Sequence, residues 1–245
     1  MRRFGRRVTR LQSVPADHRK AEPPIDADQH TRRVIAATAD FTLTPHARVM
    51  ALVGAVRHVV THNVSGAIVE CGVWRGGSMM AAAMTLLEQG DTSRDLYLFD
   101  TFTAMPASGP QDYLANGLKV VDLAEGDEIP SEYAFLPLGA VRDAMLSTGY
   151  PPERMHFVQG MVEDTIPVQA PAVIALCRLD TDYYASTKHE LEHLYPRIAA
   201  GGALIIDDYG HFLGAKQAVD EYFPDPATRP HFHRVDYSAR LLLKP

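Results

Sequence analysis

Short, largely apolar runs alternate with helically spaced stretches along most of this chain. The runs at 67–71, 96–99, 156–158, 172–179 and 203–206 have the length and character of strands buried on both faces. Helical spacing occupies 79–87, 141–145, the stretch after 179, and 215–223. Upstream, Val49, Leu52, Val53, Val56, Val59 and Val60 recur at one-turn spacing and predict a helix to about residue 62. Thr44 is read as its N-cap and Pro45 as its first helical residue. Gly201-Gly202 is read as a stop between the helix before it and the strand after it. At the far end, 232–237 and 239–243 read as an antiparallel pair turning at Ser238. Strand–helix alternation closed by a hairpin predicts an α/β, Rossmann-like fold. Its sheet is seven-stranded and mostly parallel, with helices on both faces.

Residues 1–42 stand apart from this pattern. Arg2, Arg3, Arg6, Arg7, Arg10, Arg19 and Lys20, then Pro23-Pro24, read as a basic flexible arm ahead of one domain at 43–245. The segment 103–138, rich in Pro, Gly and acidic residues, is read as a lid over an acceptor region, being too long for a plain connection. A chain of 245 residues with 46% hydrophobic and 22% charged residues has the composition of an ordinary globular domain. The net charge of −6 argues against nucleic acid or an anionic membrane as partner. Cys71 and Cys177 lie in apolar runs and read as core thiols of a reducing compartment. No run reaches the ~18 apolar residues of a membrane span, and no signal-peptide pattern opens the chain. The expectation is a cytoplasmic protein.

Candidate chemistry gathers at the strand ends. Asp180 and Asp182 follow one strand, Asp207 and Asp208 the next, at the edge where open α/β sheets hold ligands. Carboxylates converging there repel one another unless a positive group sits among them, and a hard divalent cation with oxygen ligands is one such group. The other reading makes Asp180 and Asp182 helix caps, and Asp207 and Asp208 solvated loop residues. Glu70-Cys71-Gly72-Val73-Trp74-Arg75-Gly76-Gly77-Ser78 forms a glycine-rich turn after the first strand. It permits close backbone approach and sets Ser78 at a helix start. Its spacing is not GxGxxG, which disfavours a dinucleotide site. Asp100, ending the second strand, is placed to accept ribose hydroxyls. After the third strand Gly160 permits close approach and Glu163 can accept from an adenine amino group; Glu163 and Asp164 as first-turn helix acids is the equal alternative.

Five words of the sequence carry a family resemblance: VECGVWRGGS at 69–78, LFDTFTAMP at 98–106, GMVEDTIP at 160–167, RLDTDYYAST at 178–187 and LYPRIAAGGALIIDDY at 194–209. In this order they resemble the macrocin/mycinamicin-type O-methyltransferases, enzymes of the class I methyltransferase fold that use S-adenosyl-L-methionine (SAM) and Mg²⁺ in natural-product sugar tailoring. The resemblance implies that Asp180, Asp207 and Asp208 bind Mg²⁺ or Mn²⁺ and that Asp182 is the general base. It implies that Glu70, Gly72, Trp74 and Ser78 line the methionine half of SAM, Asp100 the ribose, and Gly160 with Glu163 the adenine. A small-molecule glycoside acceptor and a homodimer or higher homo-oligomer are implied partners. The sequence departs from the family where an aromatic often stands near Met161-Val162, and no word in 103–138 matches. The alternatives are a cephalosporin-hydroxylase-like relative and a non-catalytic SAM or nucleotide binder. His211, three residues past Asp208, is a rival base.

Overall fold

The computed structural model describes residues 22–120 and 134–245. In chain order its elements are helices α1 (Gln29–Thr38) and α2 (His46–Thr61), strand β1 (Ala67–Cys71), helix α3 (Gly77–Glu88), β2 (Leu96–Asp100), α4 (Leu138–Leu146), β3 (Met155–Gln159) and the single turn α5 (Val162–Thr165). Then come β4 (Ile174–Leu179), α6 (Tyr184–Leu194), β5 (Ile198–Ile206), α7 (Leu213–Tyr222), β6 (His233–Arg234) and β7 (Arg240–Leu243). The seven strands form one sheet in the order β3-β2-β1-β4-β5-β7-β6. β1 to β5 are parallel, while β7 runs antiparallel to β5 and β6 to β7. The fold is thus the mostly parallel, hairpin-closed sheet that the apolar runs predict. Successive residues supply opposite faces: Ile68, Leu98 and Ile205 join the core beneath α1 to α4, whereas Val69, Phe99 and Ile206 join the core beneath α5 to α7. Covering both faces is what makes the strands read as unbroken apolar runs. Chain order reverses between β1 and β4, so their C-terminal ends open onto the crevice where such sheets bind ligands.

Four local expectations are corrected. Within the expected arm, α1 is folded, with Val34 and Ile35 in the core and Thr31, Thr38 and His30 also buried. A face built largely from threonine and histidine leaves little apolar periodicity to detect. Asp28 accepts from Thr31 N at 2.8 Å as the α1 cap and pairs with Arg57, which also holds Glu88 of α3. Residues 1–21, with the whole of the basic cluster, and 121–133 of the expected lid lie outside the described residues. Second, β5 starts at Ile198 and runs through Gly201-Gly202. A Cβ on Gly202 would come within 2.9 Å of the Ala175 carbonyl, so glycine there allows close strand packing rather than a stop. Third, α2 begins at His46 with Pro45 as N-cap and no side-chain cap bond. The Thr44 hydroxyl instead accepts from Arg178 at 3.2 Å. Fourth, the closing hairpin is shorter than expected, and Asp236, accepting from Ser238 N and Ala239 N, shapes its turn.

Candidate active site

β4 and β5 pair with Leu179 beside Ile206, so the residues that follow, Asp180 and Asp207, leave the sheet side by side. One carboxylate oxygen each from Asp180, Asp207 and Asp208 lies within 4.8 Å of the others. Asp182 joins them: its N–H donates to Asp208 Oδ2 at 3.0 Å, and its φ of 67° places it in the left-handed region, where aspartate is among the few tolerant side chains. Neither of the plainer readings survives. The N-cap of α6 is Tyr183, without a side-chain cap bond, and the Tyr184 N–H donates to Asp112 Oδ1 at 2.8 Å. Asp207 and Asp208 are 3% and 5% exposed, which is not the state of solvated loop residues.

Two arginines answer part of this negative charge. Arg178 stands opposite Glu70 across the β1–β4 pair. Its guanidinium donates to Glu70 Oε1 at 2.6 Å, Asp180 Oδ2 at 2.7 Å and Asp207 Oδ1 at 2.6 Å. Arg48, from α2, donates to the other oxygen of Asp207 and to Asp236 Oδ2 at 2.8 Å. These two cations face Glu70, Asp180, Asp182, Asp207, Asp208 and Asp236. Burial raises Asp180 to about 6, against the pull of Arg178. Burial and the charge of Asp180 raise Asp182 to about 7. Asp208 is driven well above the carboxylate range by burial and then by Asp182 and Asp180. Asp207 alone is lowered, because Arg178 and Arg48 outweigh its burial. Carboxylate oxygens gathered this closely, with more negative than positive charge about them, fit a hard divalent cation at Asp180, Asp207 and Asp208.

The glycine-rich turn folds over this cluster. Glu70 is 1% exposed; burial lifts it to about 8, and its Oε2 has no protein partner. Gly72, at φ 81°, leaves no room for a side chain, since a Cβ would meet the Asp180 carbonyl oxygen at 2.0 Å. Its role is therefore packing of β1 against β4 as well as any approach to a ligand. Asp100 Oδ2 accepts from Val73 N at 2.6 Å and Trp74 N at 2.8 Å, and its Oδ1 from Phe102 N at 2.7 Å. Its carboxylate shapes the turn first, and only its remaining lone pairs are left for ribose hydroxyls. Trp74, at φ 52°, carries the Arg75 guanidinium 4.4 Å above its ring, and Ser78 is buried in the first turn of α3. Gly160, at φ 143°, donates its N–H to the Asp100 carbonyl, bringing the ends of β2 and β3 together. Glu163 follows on α5, with a buried Oε2 that lacks a partner. Two orphaned carboxylate oxygens, on Glu70 and Glu163, fit a ligand that carries amino groups, as SAM does at both its ends.

The expected lid is keyed to the same edge in its described part. Asp112, 2% exposed, accepts from Tyr184 N and from Gly109 N at 2.6 Å. A Cβ on Gly214 would lie 2.2 Å from Asp112 Oδ1, so this carboxylate is wedged between the starts of α6 and α7, where helix dipoles favour it. Leu114 bridges Phe212, and Leu114, Val120 and Tyr183 form a small core with it. Sequence reasoning gave no role to Arg48, Arg178 or Asp112, and took Thr44 only as a helix cap. Only Arg178 announced itself, as a charge inside an otherwise apolar strand.

Comparison with known proteins identifies the family. A family model described as Macrocin-O-methyltransferase (TylF) matches residues 6–242. The chain belongs to that family. Among its relatives is the 8-demethyl-8-(2,3-dimethoxy-alpha-L-rhamnosyl)-tetracenomycin-C 4'-O-methyltransferase of Streptomyces olivaceus, 35% identical over 68% of this chain and 61% of the relative. The demethyldecarbamoylnovobiocin O-methyltransferase of Streptomyces niveus is 32% identical over 68% of this chain and 62% of its own length. The chain thus spans about three fifths of the length of these curated relatives. Of solved structures, the O-methyltransferase NovP superposes with a TM-score of 0.70 at 26% identity, covering 83% of this chain and 82% of that one. This TylF-family member therefore has the class I methyltransferase fold expected of it. No helix among its described residues is long and apolar enough to cross a membrane.

Proposed function

We propose that this protein is a SAM- and divalent-metal-dependent O-methyltransferase that modifies a sugar hydroxyl of a glycosylated natural product. The observation that carries the reading is the convergence of Asp180, Asp207 and Asp208 beside Asp182 at the open end of β4 and β5. Asp180, Asp207 and Asp208 would hold the ion, Mg²⁺ or Mn²⁺, which when bound fixes a hydroxyl oxygen and lowers its pKa. Glu70, Gly72, Trp74, Ser78, Asp100, Gly160 and Glu163 would cradle SAM, the donor of an electrophilic methyl group. Asp182 would accept the proton of the acceptor hydroxyl. Its carboxyl, raised to about 7, has the basicity that proton transfer near neutral pH favours. Its backbone, fixed through Asp208, presents it at a set angle, and positioning of this kind supplies much of a methyl transfer's rate. The family relatives named above support a glycoside acceptor.

Asp182→Asn tests this. The variant should bind S-adenosylhomocysteine and Mn²⁺ as the wild type does in calorimetry, yet lose at least about a hundredfold in methyl transfer to a panel of deoxysugar glycosides. Retained turnover would remove Asp182 as the base. Failure of the wild type to bind S-adenosylhomocysteine would defeat the methyltransferase reading itself.

A further inference from the structure

One aromatic side chain is held in the open beside the aspartate cluster. Tyr237, in the turn between β6 and β7, is 43% exposed, yet its backbone is locked. Gly210 N donates to the Ser238 carbonyl at 2.9 Å, and a Cβ on Gly210 would lie 2.0 Å from the Tyr237 carbonyl oxygen, so the turn is pressed directly onto the loop that follows Asp208. Asp236 Oδ1 accepts from Ser238 N and Ala239 N, and Ser238 Oγ donates to the Asp207 carbonyl. Arg48 lies 5.7 Å from the centre of the Tyr237 ring while holding the Asp207 carboxylate. A single guanidinium thus separates the exposed ring from a candidate metal ligand. His211 meets the same ring edge-on at 5.7 Å and 88°, and the Tyr237 hydroxyl lies 3.4 Å from its Nδ1. The His211 N–H donates to the Asp208 carbonyl, and its own carbonyl accepts from Ala115 of the lid segment at 2.7 Å.

A surface tyrosine at a turn needs none of this bracing. Its effect is to fix a flat, apolar, electron-rich face at the mouth of a strongly anionic site. Such a face attracts the weakly positive C–H face of a pyranose, while the ring's hydroxyls remain directed outward for hydrogen bonding. We propose that Tyr237, backed by His211, is the acceptor platform: the sugar lies flat on this ring with one hydroxyl turned toward Asp180, Asp182 and Asp208. This rests on the methyltransferase reading and adds to it the surface that orients the sugar. His211 thereby becomes part of the platform rather than a rival base.

Saturation-transfer NMR with methyl α-L-rhamnopyranoside as probe, in the presence of S-adenosylhomocysteine and Mg²⁺, reads the contact without turnover. The wild type should saturate the probe's ring C–H protons. Tyr237→Ala should weaken its binding about three- to tenfold, whereas Tyr237→Phe, which keeps the ring, should stay within about twofold. Affinity for S-adenosylhomocysteine, measured in parallel, should be unchanged in both. Equal probe binding by wild type and Tyr237→Ala would overturn the platform, as would no binding to the wild type, or a loss accompanied by weaker S-adenosylhomocysteine binding. A wild type that binds the probe but no S-adenosylhomocysteine would defeat the methyltransferase reading and leave the sugar surface standing.

Discussion

Replacing Arg178 by methionine removes the one cation shared by Glu70, Asp180 and Asp207 while keeping the length and apolar stem of the side chain. The Arg178 side chain is 4% exposed and makes three charged hydrogen bonds of 2.6–2.7 Å, so its removal leaves these carboxylates without those bonds in a buried setting. Deleting one partner of a buried ion pair typically costs 3–5 kcal/mol, because a charge is left behind unpaired. Glu70, raised to about 8, already holds its proton at neutral pH and so leaves no full charge behind; Asp207 stays ionised, since Arg48 still holds it. The expected loss at neutral pH is therefore near the lower end, about 3 kcal/mol, or roughly 6–12 °C in Tm for a domain of this size. The sign with pH follows from Asp207. In the wild type its carboxyl is held below the usual value, so the stability it contributes is present above that value and fades as pH falls. Without Arg178 the native carboxyl titrates higher and that contribution goes. The deficit should thus be full near pH 7.5 and smaller at about pH 4, where the variant's Asp207 begins to bind a proton that the wild type's, held lower, does not yet take. Urea unfolding followed by far-UV circular dichroism at the two pH values measures it. A variant within about 1 kcal/mol of wild type at pH 7.5, or a deficit that persists undiminished in acid, would refute the reasoning.

Two other expectations concern the same edge. Asp180 and Asp182 are raised to about 6 and 7, so in the metal-free protein their stability contribution is full below the ordinary carboxylate range and is lost as pH rises through those values. A divalent ion needs the ionised forms, so Mn²⁺ affinity and the thermal stabilisation it gives should grow from about pH 5 to pH 8; flat affinity over that range would count against Asp180, Asp207 and Asp208 as its ligands. Asp112→Ala should cost about 1 kcal/mol as the loss of a helix cap. Amide exchange at Tyr184 and Gly109, whose N–H groups Asp112 accepts, should accelerate, and unchanged exchange there would show that the lid segment is anchored elsewhere.

Much of the frame was legible because burial on both faces writes itself as plain apolar runs. β1 and β4 are buried from end to end, and their sequences show it. The carboxylates were legible as well, since a strand that ends in aspartate declares its edge. What stayed hidden came from distant parts of the chain. Arg48 meets Asp207 across 159 positions, and Asp112 meets Tyr184 across 72, with nothing local to mark either pair. α1 escaped notice because its buried face includes Thr31, Thr38 and His30, which periodicity counts as polar. Asp100 was seen as a ligand residue, but its duty to the Val73 and Trp74 amides is a matter of tertiary distance alone.

Arg48 precedes every strand of the sheet, and its second anchor, Asp236, lies 188 positions later, in the final turn. A growing polypeptide can therefore lay down β1 to β5 and all four aspartates of the cluster before Asp236 exists to share Arg48, or Tyr237 to close the mouth. Up to that moment the cluster is a set of crowded acids short of a stay. Completion of the hairpin is also completion of the cluster's surroundings, so a protein whose last turn is misdocked would keep the parallel strands β1 to β5 and lose the Asp236 anchor of Arg48.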